Sequence, residues 1–395
     1  MIESRDWSSR LSPAVQSIAP SGIRKFFDIA AQMKDVISLG VGEPDFITPW
    51  TIRESCVYGL ECGYTSYTAN RGMMELREEI AYHYEQEYET RYDPATDILV
   101  TVGVSEALDL AMRAVLATGD EVLIPEPCYV SYQACTILAG GVPVSVPTKL
   151  ENEFRITPDE LEQYVTDRTR VLLIGYPNNP TGAVMERADL LAIAKFAEKH
   201  DLLVISDEIY GDLTYGDEKH IAFSSLPNMQ ERTILLNGFS KAYAMTGWRI
   251  GYAMGNQAII AAMTKIHQYT MLCAPITAQL AAIEALRRGE KYMKKMVAEY
   301  DRRRRLIYDG FTKIGLPCFK PKGAFYIFPD ITPSGYQDEE FAEELLKAEH
   351  VALVPGSAFG VCGAGHVRCS YATSIDKISE ALARIENFLA KHKKT

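Results

Sequence analysis

Asn237-Gly-Phe-Ser-Lys-Ala-Tyr-Ala-Met-Thr-Gly-Trp-Arg249 lies between two short apolar runs, and its reading decides how the surrounding chain folds. Upstream, Thr233 to Leu236 is β-branched and apolar, as a buried strand requires. Downstream, Ile250-Gly-Tyr-Ala-Met begins another. Lys241 therefore leaves a buried strand in a small, polar setting (Gly238, Ser240, Ala242), eight residues before Arg249. A lysine placed there loses hydration, which favours its neutral amine and hence attack on a carbonyl. An isolated Ser-Lys pair is an ordinary loop feature, so its partners elsewhere decide what it means.

Working outward, a strand–loop–helix pattern runs from Asp97 to Tyr252, the mark of an α/β architecture with a largely parallel sheet. Strands are expected at 98–102, 121–125, 142–146, 171–175 and 202–206, and helices at 106–116, 131–138, 158–164 and 190–200. The turn Gly103-Val-Ser opens a helix after a strand, where free backbone N–H groups converge on an anion. The 171–175 strand ends in Tyr176-Pro-Asn-Asn-Pro-Thr-Gly, and the 202–206 strand delivers Asp207-Glu-Ile-Tyr210. Strand carboxyl ends are where open α/β sheets bind ligands.

Before this pattern, Ser21 is a candidate helix cap and Val36-Ile-Ser-Leu a short strand. Gly40-Val-Gly-Glu-Pro-Asp-Phe lacks a third glycine and is interrupted by Pro44, so it is a weak dinucleotide signal. It reads as a tight turn or a close backbone approach to a ligand. Helices follow at about 49–60 and 74–89, around a polar loop carrying Tyr64 and Tyr67. After Tyr252 a long helical stretch from about Ala278 past Arg304 leads into a second domain. There 323–328, 351–355 and 366–371 read as strands, 338–349 and 375–391 as helices, and the glycines at 356, 360, 363 and 365 as loop.

With 395 residues, two domains are expected. The balance of 41 basic and 52 acidic residues, net −11, argues against nucleic-acid or anionic-membrane binding. Eight cysteines without a Cys-x-x-Cys pair read as reduced, mostly buried thiols of a cytoplasmic protein. Seven scattered histidines offer no metal-ligand spacing, and the N-terminus has no apolar export segment.

The sheet edge thus offers an amine (Lys241), an acid (Asp207), a phenol (Tyr210), an amide (Asn179), an anion nest (Gly103 to Ser105) and a guanidinium (Arg249). That set suits pyridoxal 5′-phosphate, which needs a lysine for its aldehyde, an acid for its ring nitrogen and cationic or N–H groups for its phosphate.

From Ser21 to Phe388 the chain resembles the fold-type I, pyridoxal-phosphate-dependent class I/II aminotransferases, and within them the gamma subgroup of aspartate, aromatic and acetyl-diaminopimelate aminotransferases. The resemblance is carried by Gly-Glu-Pro-Asp-Phe at 42–46, Asn-Pro-Thr-Gly at 179–182, Ser-Asp-Glu-Ile-Tyr at 206–210, Ser-Lys at 240–241, Met-Thr-Gly-Trp-Arg at 245–249 and Val-Arg at 367–368. It implies a large domain (48–287) with a mainly parallel sheet sandwiched by helices. A smaller α+β domain (288–395) would pack with the N-terminal segment (1–47). It implies Lys241 as Schiff-base lysine, Asp207 at the pyridine nitrogen, and Asn179 and Tyr210 at the 3′ oxygen. Val104 (backbone), Ser105, Ser240 and Arg249 would hold the phosphate, and Tyr129 would stack on the ring. Tyr67 would reach the neighbouring subunit's phosphate, which implies a homodimer with shared sites. Gly40, Asn179 and Arg368 would receive the substrate α-carboxylate, with Ile23 near the mouth.

The implied reaction belongs to amino-acid metabolism: a ping-pong transfer from an aromatic or broad range of L-amino acids to 2-oxoglutarate. Ser105 stands where aspartate aminotransferases of the subgroup carry a lysine for the distal carboxylate, a charge serine cannot supply. Arg24, or the 265–273 segment of a neighbouring subunit, would have to replace it. Aspartate or acetyl-diaminopimelate transamination, a carbon–sulfur β-lyase on the same scaffold, and the cofactor-sensing half of a regulator are the alternatives.

Overall fold

The computed structural model describes residues 7–19, 33 and 35–392. Ser21, Ile23 and Arg24 lie outside the described residues. One short strand, β1 (Ile37–Ser38), precedes a seven-stranded sheet. That sheet consists of β2 (Ile98–Thr101), β3 (Glu121–Glu126), β4 (Val142–Pro147), β5 (Thr169–Gly175), β6 (Leu203–Asp207), β7 (Thr233–Gly238) and β8 (Gly251–Met254). Its order is β2-β8-β7-β6-β5-β3-β4, and only β8 runs against its neighbours.

The central strands are apolar throughout because helices cover both faces. Successive side chains of β5 divide accordingly. Val171 and Leu173 join the core under the helices Val104–Val115 and Gln257–Thr270, while Leu172 and Ile174 join the one under Arg187–Lys199.

Beyond the sheet, the helix Trp50–Glu61 packs on Ile276–Arg288, and Glu290–Ile314 on Ile375–His392. A second, antiparallel sheet has the order β11 (Val354–Pro355), β12 (Val367–Ser370), β9 (Tyr326–Ile327). β1 pairs in parallel with β10 (Val351–Ala352), which joins the residues before the large sheet to those after it.

Several sequence expectations need correction. The helical stretch from Ala278 is two helices meeting at Gly289, where a Cβ would lie 2.3 Å from the Ala285 carbonyl and 2.6 Å from the Tyr243 ring. The helix Gln257–Thr270 went unread, although Asn256 caps it by accepting the Ala258 N–H at 2.9 Å. The 351–355 run is two strands serving different sheets, and 323–328 is a strand only at Tyr326–Ile327. All eight cysteines are free, but only Cys128 and Cys369 are buried. Among the described residues no helix is long and apolar enough to cross a membrane.

Gly251 lets the sheet receive the helix Val104–Val115. It pairs with both Thr101 and Gly238, and a Cβ there would lie 2.8 Å from the Val104 nitrogen and 2.9 Å from the Gly103 carbonyl carbon. Both neighbours are backbone and cannot rotate away. Gly251→Ala should therefore destabilise the protein by about 1–3 kcal/mol, the range for forcing atoms into a filled interior. Urea denaturation with an unchanged slope would read the loss. An unmoved midpoint would mean that the helix start yields freely.

Candidate active site

Strand direction assembles the site. β8 is antiparallel to both β2 and β7, so β2 points the same way as β3, β5, β6 and β7. The carboxyl ends of those five strands share one edge with the beginning of β8. That edge receives Gly103 after β2, Tyr129 after β3, Asn179 after β5, Asp207 on β6, Lys241 after β7 and Arg249 before β8. The side chains of Tyr129, Asn179, Asp207, Lys241 and Arg249 line one cavity of about 840 Å³, within the ordinary size of a small-ligand site.

Lys241 Nζ donates to the Gly42 carbonyl at 2.7 Å. Burial pushes the amine down to about 8; Arg368 and Arg249 act in the same sense, while Glu43 and Asp207 oppose. A neutral amine is thus accessible near physiological pH. Asp207 responds to burial in the opposite direction and is pushed up to about 6, against hydrogen bonds from the Tyr132 hydroxyl (2.9 Å) and the Ile209 N–H (3.2 Å). Burial also raises the Tyr210 hydroxyl well above its ordinary value, so it remains a neutral donor. It shares a 2.9 Å hydrogen bond with the Tyr326 hydroxyl.

At the phosphate-like end, Val104, Ser105 and Glu106 begin a helix, so their N–H groups have no partner within it. Glu106 turns its carboxylate aside to His267 Nδ1 and the Val102 N–H, away from those N–H groups. Gly103 has φ 78°, and a Cβ on it would fall 2.7 Å from an Arg249 guanidinium nitrogen. Arg249 itself adopts φ 52°, a backbone conformation that costs a non-glycine residue about 1 kcal/mol or more.

Arg368 is 3% exposed. One terminal nitrogen donates to Asn179 Oδ1 at 2.9 Å, the other to the Gly40 carbonyl at 2.6 Å, and among the described residues Nε has no partner. The guanidinium lies between the rings of Tyr326 (4.5 Å) and Phe359 (4.8 Å). Among the described residues no carboxylate pairs with it. A permanent cation held this way is a ready receptor for a carboxylate.

The structure thus brings together Gly40, Val104, Ser105, Tyr129, Asn179, Asp207, Tyr210, Ser240, Lys241, Arg249 and Arg368. Tyr67 is 82% exposed and outside this cavity, and Ile23 lies outside the described residues. Sequence reasoning missed Tyr132, Tyr326, Phe359 and Glu43. Tyr132 had a signal, three residues past Tyr129 in the first turn of its helix; Glu43 accepts from Thr246 Oγ1 at 2.9 Å across 203 positions. The donor set fits pyridoxal phosphate, with a dehydrated amine, a buried acid held by two donors and a nest beside a guanidinium. Among the described residues no group of three or more His, Cys, Asp or Glu could hold a metal ion.

Residues 34–385 match the family model for aminotransferase class I and II. The chain is 50% identical to an aspartate aminotransferase of Pyrococcus abyssi, covering 98% of this chain and 100% of that one. It is 46% identical to aromatic-amino-acid aminotransferase 2 of Thermococcus litoralis, over 97% and 99%. A crystal structure of an aromatic aminotransferase from Pyrococcus horikoshii superposes with a TM-score of 0.90 at 48% identity, covering 94% of this chain and 99% of that one. The chain therefore belongs to the aminotransferase class I and II family, enzymes that depend on pyridoxal phosphate.

Proposed function

We propose that this aminotransferase, working as a cytoplasmic homodimer, moves the amino group of an aromatic or broad range of L-amino acids to 2-oxoglutarate. Donor and acceptor use one pocket in turn. The observation that carries this reading is the composition of the cavity wall. Among its described lining residues the cations are Lys241, Arg249 and Arg368, each with a task, and the exposed Ser105 adds no charge. A second carboxylate finds no fixed cation there, and Glu43 contributes negative charge.

Bound pyridoxal phosphate supplies an aldehyde for amino groups and a ring that takes up the electron pair left at the α-carbon. Lys241 would bond the aldehyde, and its Nζ would carry the α-proton. Asp207 would keep the ring nitrogen protonated, and Asn179 and Tyr210 would donate to the 3′ oxygen. The Val104 N–H, Ser105, Ser240 and Arg249 would hold the phosphate dianion, and Tyr129 would pack on the ring. Arg368, with Gly40 and Asn179, orients the α-carboxylate in both halves of the cycle.

The chain divides, on this reading, into 48–287 and a smaller body of 288–395 with 1–47. The β1–β10 ladder and the Ser370 N–H to Leu39 carbonyl bond (2.6 Å) support that division. Exposed Tyr67 and Tyr269 (82% and 83%), with Tyr64, Met271 and Leu272 also exposed, support coverage by a second copy. Asn70 Nδ2 ties the two segments together by donating to the Leu272 carbonyl at 2.7 Å.

Three measurements test this. Cofactor-free protein should capture the aldehyde faster as pH rises through about 8 and then level off, because the neutral amine of Lys241 is by then fully populated. Borohydride should fix the label on Lys241, and Lys241→Ala should take none. A rate still climbing at an unshifted lysine's pKa of about 10.4 would remove burial as the activating cause.

In a coupled assay at fixed 2-oxoglutarate, tyrosine or phenylalanine should give a kcat/KM at least equal to that of aspartate. Arg368→Lys should weaken both half-reactions together. An aspartate preference of about a hundredfold, worth about 2.7 kcal/mol, would show that another cation answers the distal carboxylate.

Finally, heterodimers of a Lys241→Ala subunit with a Tyr67→Ala subunit should recover part of the activity that neither homodimer has, since one of the two shared sites is whole. Verified heterodimers without activity would rule out a site built from both subunits.

A further inference from the structure

Tyr132 has no place in the expected cofactor set, yet its hydroxyl donates to Asp207 Oδ2 at 2.9 Å. It stands in the first turn of the helix Ser131–Leu138, is 5% exposed, and meets the Tyr129 ring edge-on with centroids 5.7 Å apart. From that helix the phenol reaches β6 only by crossing the end of β5. Gly175 is the residue at the crossing, paired with Asp207 in the parallel ladder. A Cβ on Gly175 would lie 2.3 Å from the Tyr132 hydroxyl oxygen. A tyrosine from a helix, a glycine on one strand and an acid on the next therefore fit only as a set.

The effect on Asp207 follows from its two donors. Tyr132 holds one carboxylate oxygen and the Ile209 N–H holds the other, which fixes the plane of the group. Each oxygen keeps a further lone pair for another donor. Burial favours the protonated acid, and the Tyr132 hydroxyl is the largest influence against it. Burial also keeps Tyr132 far from ionising, so it donates at any working pH. A buried pair with a purely structural task would contribute to stability and leave the chemistry untouched.

We propose that Tyr132 is a positioning residue for the reaction: through Asp207 it keeps the carboxylate ionised and fixed for the cofactor's ring nitrogen, while Gly175 keeps the route between them open. This rests on the assignment of Asp207 made above.

The test is a double-mutant cycle on holoenzyme, with Tyr132→Phe, Asp207→Asn and both together. Tyr132→Phe should slow a single turnover roughly 10–100-fold, the reach of one lost hydrogen bond to a charged group. It should also move the acid limb of the pH–rate profile up by about one unit. Gly175→Ala should reproduce both changes with the phenol still present. The cofactor's dissociation constant, read from visible absorbance without substrate, should weaken on Tyr132→Phe only while Asp207 is in place. In the Asp207→Asn background, adding Tyr132→Phe should change neither rate nor affinity more than about twofold. Equal losses in both backgrounds, or an acid limb that does not move, would overturn the role of Tyr132 and leave that of Asp207 standing. Wild-type turnover by Asp207→Asn would overturn both.

Discussion

A guanidinium is buried at Arg368 and, among the described residues, no carboxylate answers it; much of the structure exists to make that possible. Removing such a charge from water costs several kcal/mol even after relaxation. Two hydrogen bonds, to Asn179 and Gly40, and the faces of Tyr326 and Phe359 offset part of it. These partners come from four separate stretches of the chain. The large sheet supplies the turn carrying Asn179, the chain after β1 supplies Gly40, and the small antiparallel sheet supplies Tyr326 and Arg368 itself. Among the described residues Nε finds no partner, so the charge is only partly balanced by the protein.

The same dehydration sets the other two ionisable groups in opposite directions. It lowers Lys241 toward the neutral amine and raises Asp207 toward the neutral acid. In the role proposed for Lys241 this is useful as it stands, because a nucleophile needs its lone pair. In the role proposed for Asp207 it works against keeping a pyridine nitrogen protonated, and the Tyr132 and Ile209 donors oppose it. A shared environment thus activates one residue and must be corrected locally at the other.

Lys241, Asp207, Asn179 and Arg249 were legible before any coordinates because each adjoins a run that reads as a buried strand, and parallel strands bring their ends to one edge. Arg368 was legible from its match to a family motif rather than from the pattern around it. Tyr132, Tyr326 and Phe359 were harder because their contacts depend on clearances between elements, such as the missing Cβ of Gly175, that no periodicity records. The break at Gly289 escaped for a related reason: helical spacing continues on both sides, and only the Tyr243 ring and the Ala285 carbonyl reveal the corner. The helix Gln257–Thr270 was there to be read, from its Asn256 cap and the apolar spacing of Ile259, Ile260, Met263 and Ile266.

The pairing of β1 with β10 also orders events on the ribosome. Ile37 meets Val351, and Ser38 meets Ala352, across roughly 300 residues, so at about 5–20 residues per second the early strand waits on the order of 15–60 s for its partner to be made. The seven strands of the large sheet all lie within 98–254 and are synthesised well before then. The nest, Asp207 and Lys241 therefore emerge, and their sheet can close, while β1 is still unpaired. The hydrogen bond from Arg368 to the Gly40 carbonyl forms only after Arg368 itself, more than a hundred residues past the last strand of the large sheet, has left the tunnel.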